Sequence, residues 1–345
     1  MKTLGAALLA ACLAACGGSG GDGDSGATPA PAPSPAPAPQ ALPNVAGGTA
    51  RLLAGSLAGE CSEVHAQGAI TFHAGAVWLA GPSCVDGGAR VQAVDAASGA
   101  VRLHASAAPN DAAAARANGF GYATGIAFDG EGRLFVMDGG NALSRWPSDF
   151  SAIVTPAPGH ASGLWQIEGG GMRAWAGGVL NTRTDGAGEA AGFVLANGLV
   201  RDAHGHFYTQ DMRALRRITP QAEVSTLAVG AAGLPVMDAS GQPLHVLVRT
   251  GEASALVDAD TGTPVAELPR GTGMALIDRQ GGIYAAGLSA PGEADPVSVY
   301  HRAPGASAFE PVVTHAEYLN AMALDEAGNM YLHQRNAIVK VVFTR

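Results

Sequence analysis

Lysine is almost missing from this chain. Between Lys2 and Lys340 there is none, and across 345 residues Lys and Arg together number 20 against 29 Asp and Glu. The resulting formal charge of −9 argues against nucleic acid or anionic lipid headgroups as partners, because both are held through clustered cations. Charged residues are only 14% of the chain while glycine supplies 49 positions, the balance of a turn-rich all-β protein. Long helical periodicity is lacking as well; the one candidate helix is the alanine-rich stretch 110–118. There is no Gly-x-Ser-x-Gly turn and no phosphate-binding glycine loop, so serine-based acyl transfer and nucleotide chemistry have no motif to rest on.

The apolar run that does exist lies at the N-terminus. Met1-Lys2 precedes Leu4–Cys16, a stretch too short to span a bilayer and laid out as a secretory signal. Leu13-Ala14-Ala15-Cys16 resembles the lipobox of bacterial lipoproteins, and Leu9-Ala10-Ala11-Cys12 matches it too. Cys16 is favoured because the apolar run ends there. The resemblance implies a signal peptide over 1–15, a lipidated Cys16 and a membrane anchor, with acyl chains giving stable attachment. Gly17 in place of Asp after that cysteine implies the outer membrane. Residues 16–46 read as a stalk: Gly, Ser and Asp first, then alternating Pro and Ala over 27–43, a semi-rigid polyproline II spacer. The remaining cysteines, Cys61 and Cys84, are an even pair in an exported chain and predict one disulfide. A zinc site would have to recruit His65 and His73 at unmatched spacing.

The folded part, 47–345, repeats one phrase. An apolar stretch, Asp-x-x-Gly and a second apolar stretch recur at Asp129–Gly132, Asp202–Gly205, Asp238–Gly241, Asp278–Gly281 and Asp325–Gly328. Asp accepts backbone hydrogen bonds early in a tight turn and Gly supplies its positive φ, so each copy predicts a β-hairpin. Hairpins recurring every few dozen residues predict a blade array. Further turns are expected at Asp95–Gly99 and Asp258–Gly262. The stretch from Thr184 to Ala228, with Gly198, Asp202, Gly205, Ile218, Thr219 and Pro220 in place, resembles an NHL repeat; 123–146 and 319–345 match more loosely. That resemblance implies a β-propeller of four-stranded blades. The last repeat offers only three strands, and Thr49–Gly55 resembles the missing fourth, so an N-terminal strand is expected to complete that blade and close the ring. With 164–177 as the outer half of the second blade, after an insertion around 142–162, the count is six. Reading Glu168–Gly171 as another first hairpin makes seven.

Aligning the repeats puts Thr124, Asn197 and Asn320 five residues before their Asp, with Thr272 beside the corresponding Gly273. They are candidate binding residues at the rim of a central channel; the alternative is that they bond backbone where each inner strand begins. Tyr208, Tyr284, Tyr331 and Phe135 share one register position and predict packing between blades. Asp138 and Asp211 are expected to cap the turn into the third strand. His204 and His206 read as solvated turn residues, and Arg213, Arg216 and Arg217 form a small basic stripe. The repeating aspartates lack the converging oxygens of a calcium loop, and neither a metal nor a cofactor is expected. The function that follows is an envelope binding module taking a protein or small ligand. Alternatives are an envelope-assembly scaffold, or an enzyme resembling propeller lactonases or streptogramin lyases, whose channel-centre metal is held by acidic and amide side chains.

Overall fold

The computed structural model describes residues 41–64, 68–108, 119–139, 162–179, 182–231, 233–238, 240–288, 297–316 and 318–344. The signal sequence, Cys16, most of the stalk, the 110–118 candidate helix and the insertion up to residue 161 lie outside them. Within them the protein is an all-β propeller of six antiparallel blades, and a single 3-10 turn at Gly188–Ala190 is the only helical element among the described residues.

Each blade begins with an inner strand; in blades two to six the Asp-x-x-Gly turn folds it onto the second, and in blade one the two residues Ala74 and Gly75 do so. The inner strands are Ala69–His73, Ala123–Phe128, Ala196–Arg201, Leu234–Val236, Met274–Ile277 and Leu319–Leu324, and neighbours around the ring are in contact. All five turns are built alike. In the first, an Asp129 Oδ1 accepts the amides of Glu131 and Arg133, and the Gly132 amide returns to the Asp129 carbonyl at 3.2 Å. Gly132 sits at φ +78°, a conformation that costs glycine nothing and other residues a good deal. Asp202, Asp238, Asp278 and Asp325 repeat that pair of amide bonds. The turns at Asp95 and Asp258 connect third to fourth strands.

Blade two has Gly163–Glu168 and Gly171–Ala176 as its outer pair, joined to Leu134–Asp138. The Glu168–Gly171 turn is therefore an outer turn, and the count is six. In blade six, Gly48–Ser56 pairs along Asn336–Phe343 from Gly48↔Phe343 to Ser56↔Asn336 and supplies the fourth strand. The chain ahead of it crosses to the neighbouring blade: Asn44–Val45 pairs with Glu310–Ala316 on the outer edge of blade five. The stalk thus reaches the fold at blade five, not at the outer side of blade six.

The core lies between blades. Tyr331 of blade six packs with Ile70 and Val77 of blade one, Phe135 of blade two with Phe207 of blade three, and Tyr284 of blade five with Met330 of blade six. Tyr208 packs beside Val246 and Val257 of blade four. These are the four residues of common register, each filling the seam to the next blade. Blades two and three approach closely, since a Cβ on Gly125 would lie 2.5 Å from that of Leu199.

The Cys61–Cys84 disulfide is formed. It fastens the segment after the N-terminal strand to the turn between Ala76–Pro82 and Ala89–Asp95 of blade one. The Asn336 amide donates to the carbonyls of Gly59 and Glu60, both at 3.0 Å. Lys340 Nζ bonds the Ala96 carbonyl at 3.1 Å. Blades six and one are therefore joined by covalent and polar ties besides their apolar seam.

Candidate functional site at the channel mouth

Two cavities open along the central channel. Where the inner strands begin lies one of about 250 Å³; where they end in the aspartate turns lies a wider funnel of about 750 Å³. The first gathers the predicted rim. Thr124, Asn197 and Asn320, from blades two, three and six, all line it. Thr272 does not: it is fully buried, its hydroxyl donating to the Pro269 carbonyl, and Gly273 takes the wall position.

The backbone explains how three blades present a polar residue at one level. The pairing of first and second strands slips between Ala123 and Gly125, between Asn197 and Val200, and between Leu319 and Ala321. Thr124 and Asn320 are the residues left over by these slips, and Asn197 is the last paired residue before its own. A β-bulge bends its strand and re-aims side chains, which is why bulges collect at functional sites. Thr124 Oγ1 donates to the Ala196 carbonyl of blade three at 3.0 Å, and Asn320 Nδ2 to the Arg335 carbonyl at 3.3 Å. Both therefore bond backbone and line the cavity at once. Asn197 has no side-chain hydrogen bond to any other described residue.

Sequence reasoning missed two members of the wall. Tyr122 stands just ahead of the blade-two inner strand, and Arg249 near the end of His245–Thr250 in blade four. Burial pushes the Tyr122 phenol above its ordinary range. Arg249 is the sole charged residue among the described residues of the wall, which is otherwise mostly aliphatic. The only signal for it was a cation closing an apolar strand. In blade four the level of Thr124 and Asn197 is occupied by Gly233, where a Cβ would lie 2.3 Å from the Leu247 carbonyl oxygen.

Asp138 and Asp211 act one step behind this mouth, and differently from the turn caps predicted for them. Fully buried Asp138 accepts the amides of Gly121 and Tyr122, each at 3.1 Å. Asp211 accepts those of Val194 and Leu195. Each carboxylate thus holds the segment leading into its own blade's inner strand. Asp211 also pairs with Arg216 at 2.9 Å, both side chains fully buried. Arg216 reaches on to Asp185 and the carbonyls of Thr184 and Gly192. The basic stripe does not exist as a surface: Arg216 is interior, Arg213 exposed and Arg217 half-buried.

At the far end His204 is exposed, and His206 Nδ1 lies 2.9 Å from the outer oxygen of Asp202, which also accepts the Tyr208 hydroxyl at 3.0 Å. Burial opposes the Asp202 charge, yet the His206 amide and these side chains hold its carboxyl below the usual range. Among the described residues no three His, Cys, Asp or Glu converge as a metal site would need. The described wall of the smaller cavity holds no carboxylate, whereas Asp238, Asp278, Asp325 and Glu326 line the funnel at the other end. Its amides and hydroxyls do not fit the acid-plus-amide metal set of a propeller lactonase.

No protein-family model matches the chain, and no curated protein does. Solved structures match in fold. A gluconolactonase from Xanthomonas campestris aligns with a TM-score of 0.55 at 11% identity over 88% of this chain and 95% of its own. A provisionally assigned gluconolactonase aligns at 0.50 and 14%, over 86% and 92%, and a streptogramin B lyase at 0.45 and 10%, over 81% and 93%. At such identities the likeness is one of architecture.

Proposed function

We propose that this protein is an exported lipoprotein of the bacterial envelope, anchored through Cys16, whose propeller binds a small ligand in the mouth of its channel. The anchoring rests on Leu13-Ala14-Ala15-Cys16 and the Pro/Ala stalk behind it. The binding role rests on one observation: three bulged or bulge-adjacent strand starts from separate blades bring Thr124, Asn197 and Asn320 to one small, mostly apolar cavity. A concave apolar pocket with a few convergent polar groups is the usual form of a ligand site. A lactonase- or lyase-like reaction is the weaker reading, because no acid stands on the described wall of that cavity and the channel's carboxylates lie in the turns at its other end.

Ligand-observed NMR of the purified chain against a fragment mixture tests the cavity. Fragments are expected to bind wild type and to lose binding in Asn197→Trp, which fills the mouth while leaving the blade seams untouched. Fragment binding that persists undiminished in a folded Asn197→Trp variant would place the site elsewhere and refute the reading.

A further inference from the structure

The wider funnel at the turn end of the channel carries polar chemistry that the mouth does not share, and we infer that it is a second site, taking a short neutral glycan. Five aspartates fold the inner strands of blades two to six onto their neighbours, each with Oδ1 bound to turn amides. Their outer oxygens differ. In blades two, three and six the residue four places on supplies a partner. Arg133 Nε bonds Asp129, His206 Nδ1 lies 2.9 Å from Asp202 Oδ2, and Asn329 Nδ2 donates to Asp325 Oδ2 at 2.8 Å. Blade four has exposed Gln242 at that place and blade five has Gly282. Asp238 Oδ2 consequently has no hydrogen bond to any described residue. Asp278 Oδ2 lies 3.8 Å from His301 Nε2, beyond hydrogen-bond reach. Both aspartates line the funnel.

Other blades add groups with the same property. Thr71 and His73 of blade one and Arg201 of blade three line the funnel, and none of them has a side-chain hydrogen bond or ion pair to a described residue. The His73 ring lies flat against Phe128 of blade two, centroids 3.9 Å apart, so an apolar face stands beside the polar groups. Charge works against simple ions. Asp238, Asp278, Asp325 and Glu326 share the wall with Arg201 and Arg279, so an anion meets carboxylates and a cation meets guanidiniums. A hydroxyl carries one donor and two acceptor lone pairs. It can give its proton to the open oxygen of Asp238 or Asp278 and accept one from Arg201, and hydrogen bonds to charged groups are the stronger kind. A neutral polyhydroxylated ligand therefore answers both signs in place of water, while the C–H face of a sugar ring covers Phe128. Size agrees. The funnel of about 750 Å³ falls within the usual range for pockets that enclose drug-sized ligands. Amines are the nearest rival, because carboxylates outnumber guanidiniums on this wall.

Isothermal titration of the full chain with trisaccharides of like size and different charge tests this site. Maltotriose, cellotriose and triacetylchitotriose are neutral, trigalacturonate is anionic, and chitotriose, which bears free amines, is cationic. At least one neutral trisaccharide is expected to bind, about tenfold or more tightly than either charged one. Asp278→Asn keeps the turn acceptor and removes the charge of the open oxygen; it and Arg201→Gln should each weaken that binding about tenfold. Failure of every neutral trisaccharide to bind, or tighter binding of chitotriose or trigalacturonate, would overturn the inference. Unchanged affinity in folded Asp278→Asn and Arg201→Gln variants would do the same. Asn197→Trp, at the opposite end of the channel, is expected to leave trisaccharide affinity as in wild type, so the funnel and the mouth are judged separately. Loss of that affinity in Asn197→Trp would move the glycan to the mouth and overturn the funnel assignment. Should either funnel variant fail to fold, Asp238→Asn takes its place with the same expected loss.

Discussion

His333 is fully buried on the second strand of blade six, directly behind the channel wall, with Nδ1 3.2 Å from the carbonyl oxygen of Gly68. Burial pushes its pKa down from 6.5 to about 4, so the ring is neutral in the folded protein and free to charge in the unfolded chain. Stability from this residue is therefore complete above pH 6.5 and drains away as pH falls toward 4. The shift corresponds to about 3 kcal/mol in total. Urea titrations at steps between pH 7 and 4 are expected to show wild type losing about that much more stability than His333→Gln. Parallel curves for the two proteins would show that His333 is not the titrating group. Asp211 makes a related point: its sequence neighbours suggested a local cap, whereas its carboxylate holds the segment before its blade's inner strand and pairs with a buried arginine. Residues like these are read only with their partners in view.

Among the elements, the strand Gly48–Ser56 bears the most consequence. It is the outer edge of blade six, and the chain that follows it is tied to blade one by Cys61–Cys84, closing a segment with a sequence separation of 23. Chain-entropy arguments give such a cross-link about 3 kcal/mol. The double variant Cys61→Ser/Cys84→Ser is expected to unfold at lower denaturant by roughly that amount, with no new thiol chemistry in the folded core. A melting curve identical to wild type would mean that the polar ties of Asn336 and Lys340 hold this junction by themselves. Turn signals were fully legible here, because Asp-x-x-Gly encodes its own hydrogen bonds within five residues. Bulges were not, since a slip in register exists only between two paired strands. That is why Thr124 and Asn320 stood out by alignment while the reason for their placement did not.

For the whole molecule, the proposal of a tethered binding propeller joins two parts that answer to different tests. Cys16→Ala is expected to move the protein from the membrane fraction to the soluble fraction of the envelope, with the binding behaviour of the domain intact. Retention of the variant in membranes would refute lipid anchoring. Nothing in the sequence sets Arg249 apart from the other arginines, and its place on the channel mouth comes only from the fold. The blade count is similar: the sequence favours Glu168–Gly171 as an outer hairpin, and the inner reading is closed off once Gly163–Glu168 is seen paired with Leu134–Asp138.

The sequence by itself determined the hairpins, the all-β class, the blade repeat, the seam residues and the pairing of Cys61 with Cys84, because each follows from local turn chemistry, from recurrence or from a count of two. Only the tertiary structure decided which blade the stalk meets, what Asp138, Asp211 and Arg216 hold, and that Arg249 and Tyr122 share a cavity with Thr124, Asn197 and Asn320. Those facts depend on residues from different blades meeting across the ring, and distance in space between blades leaves no mark on the spacing of residues along one chain.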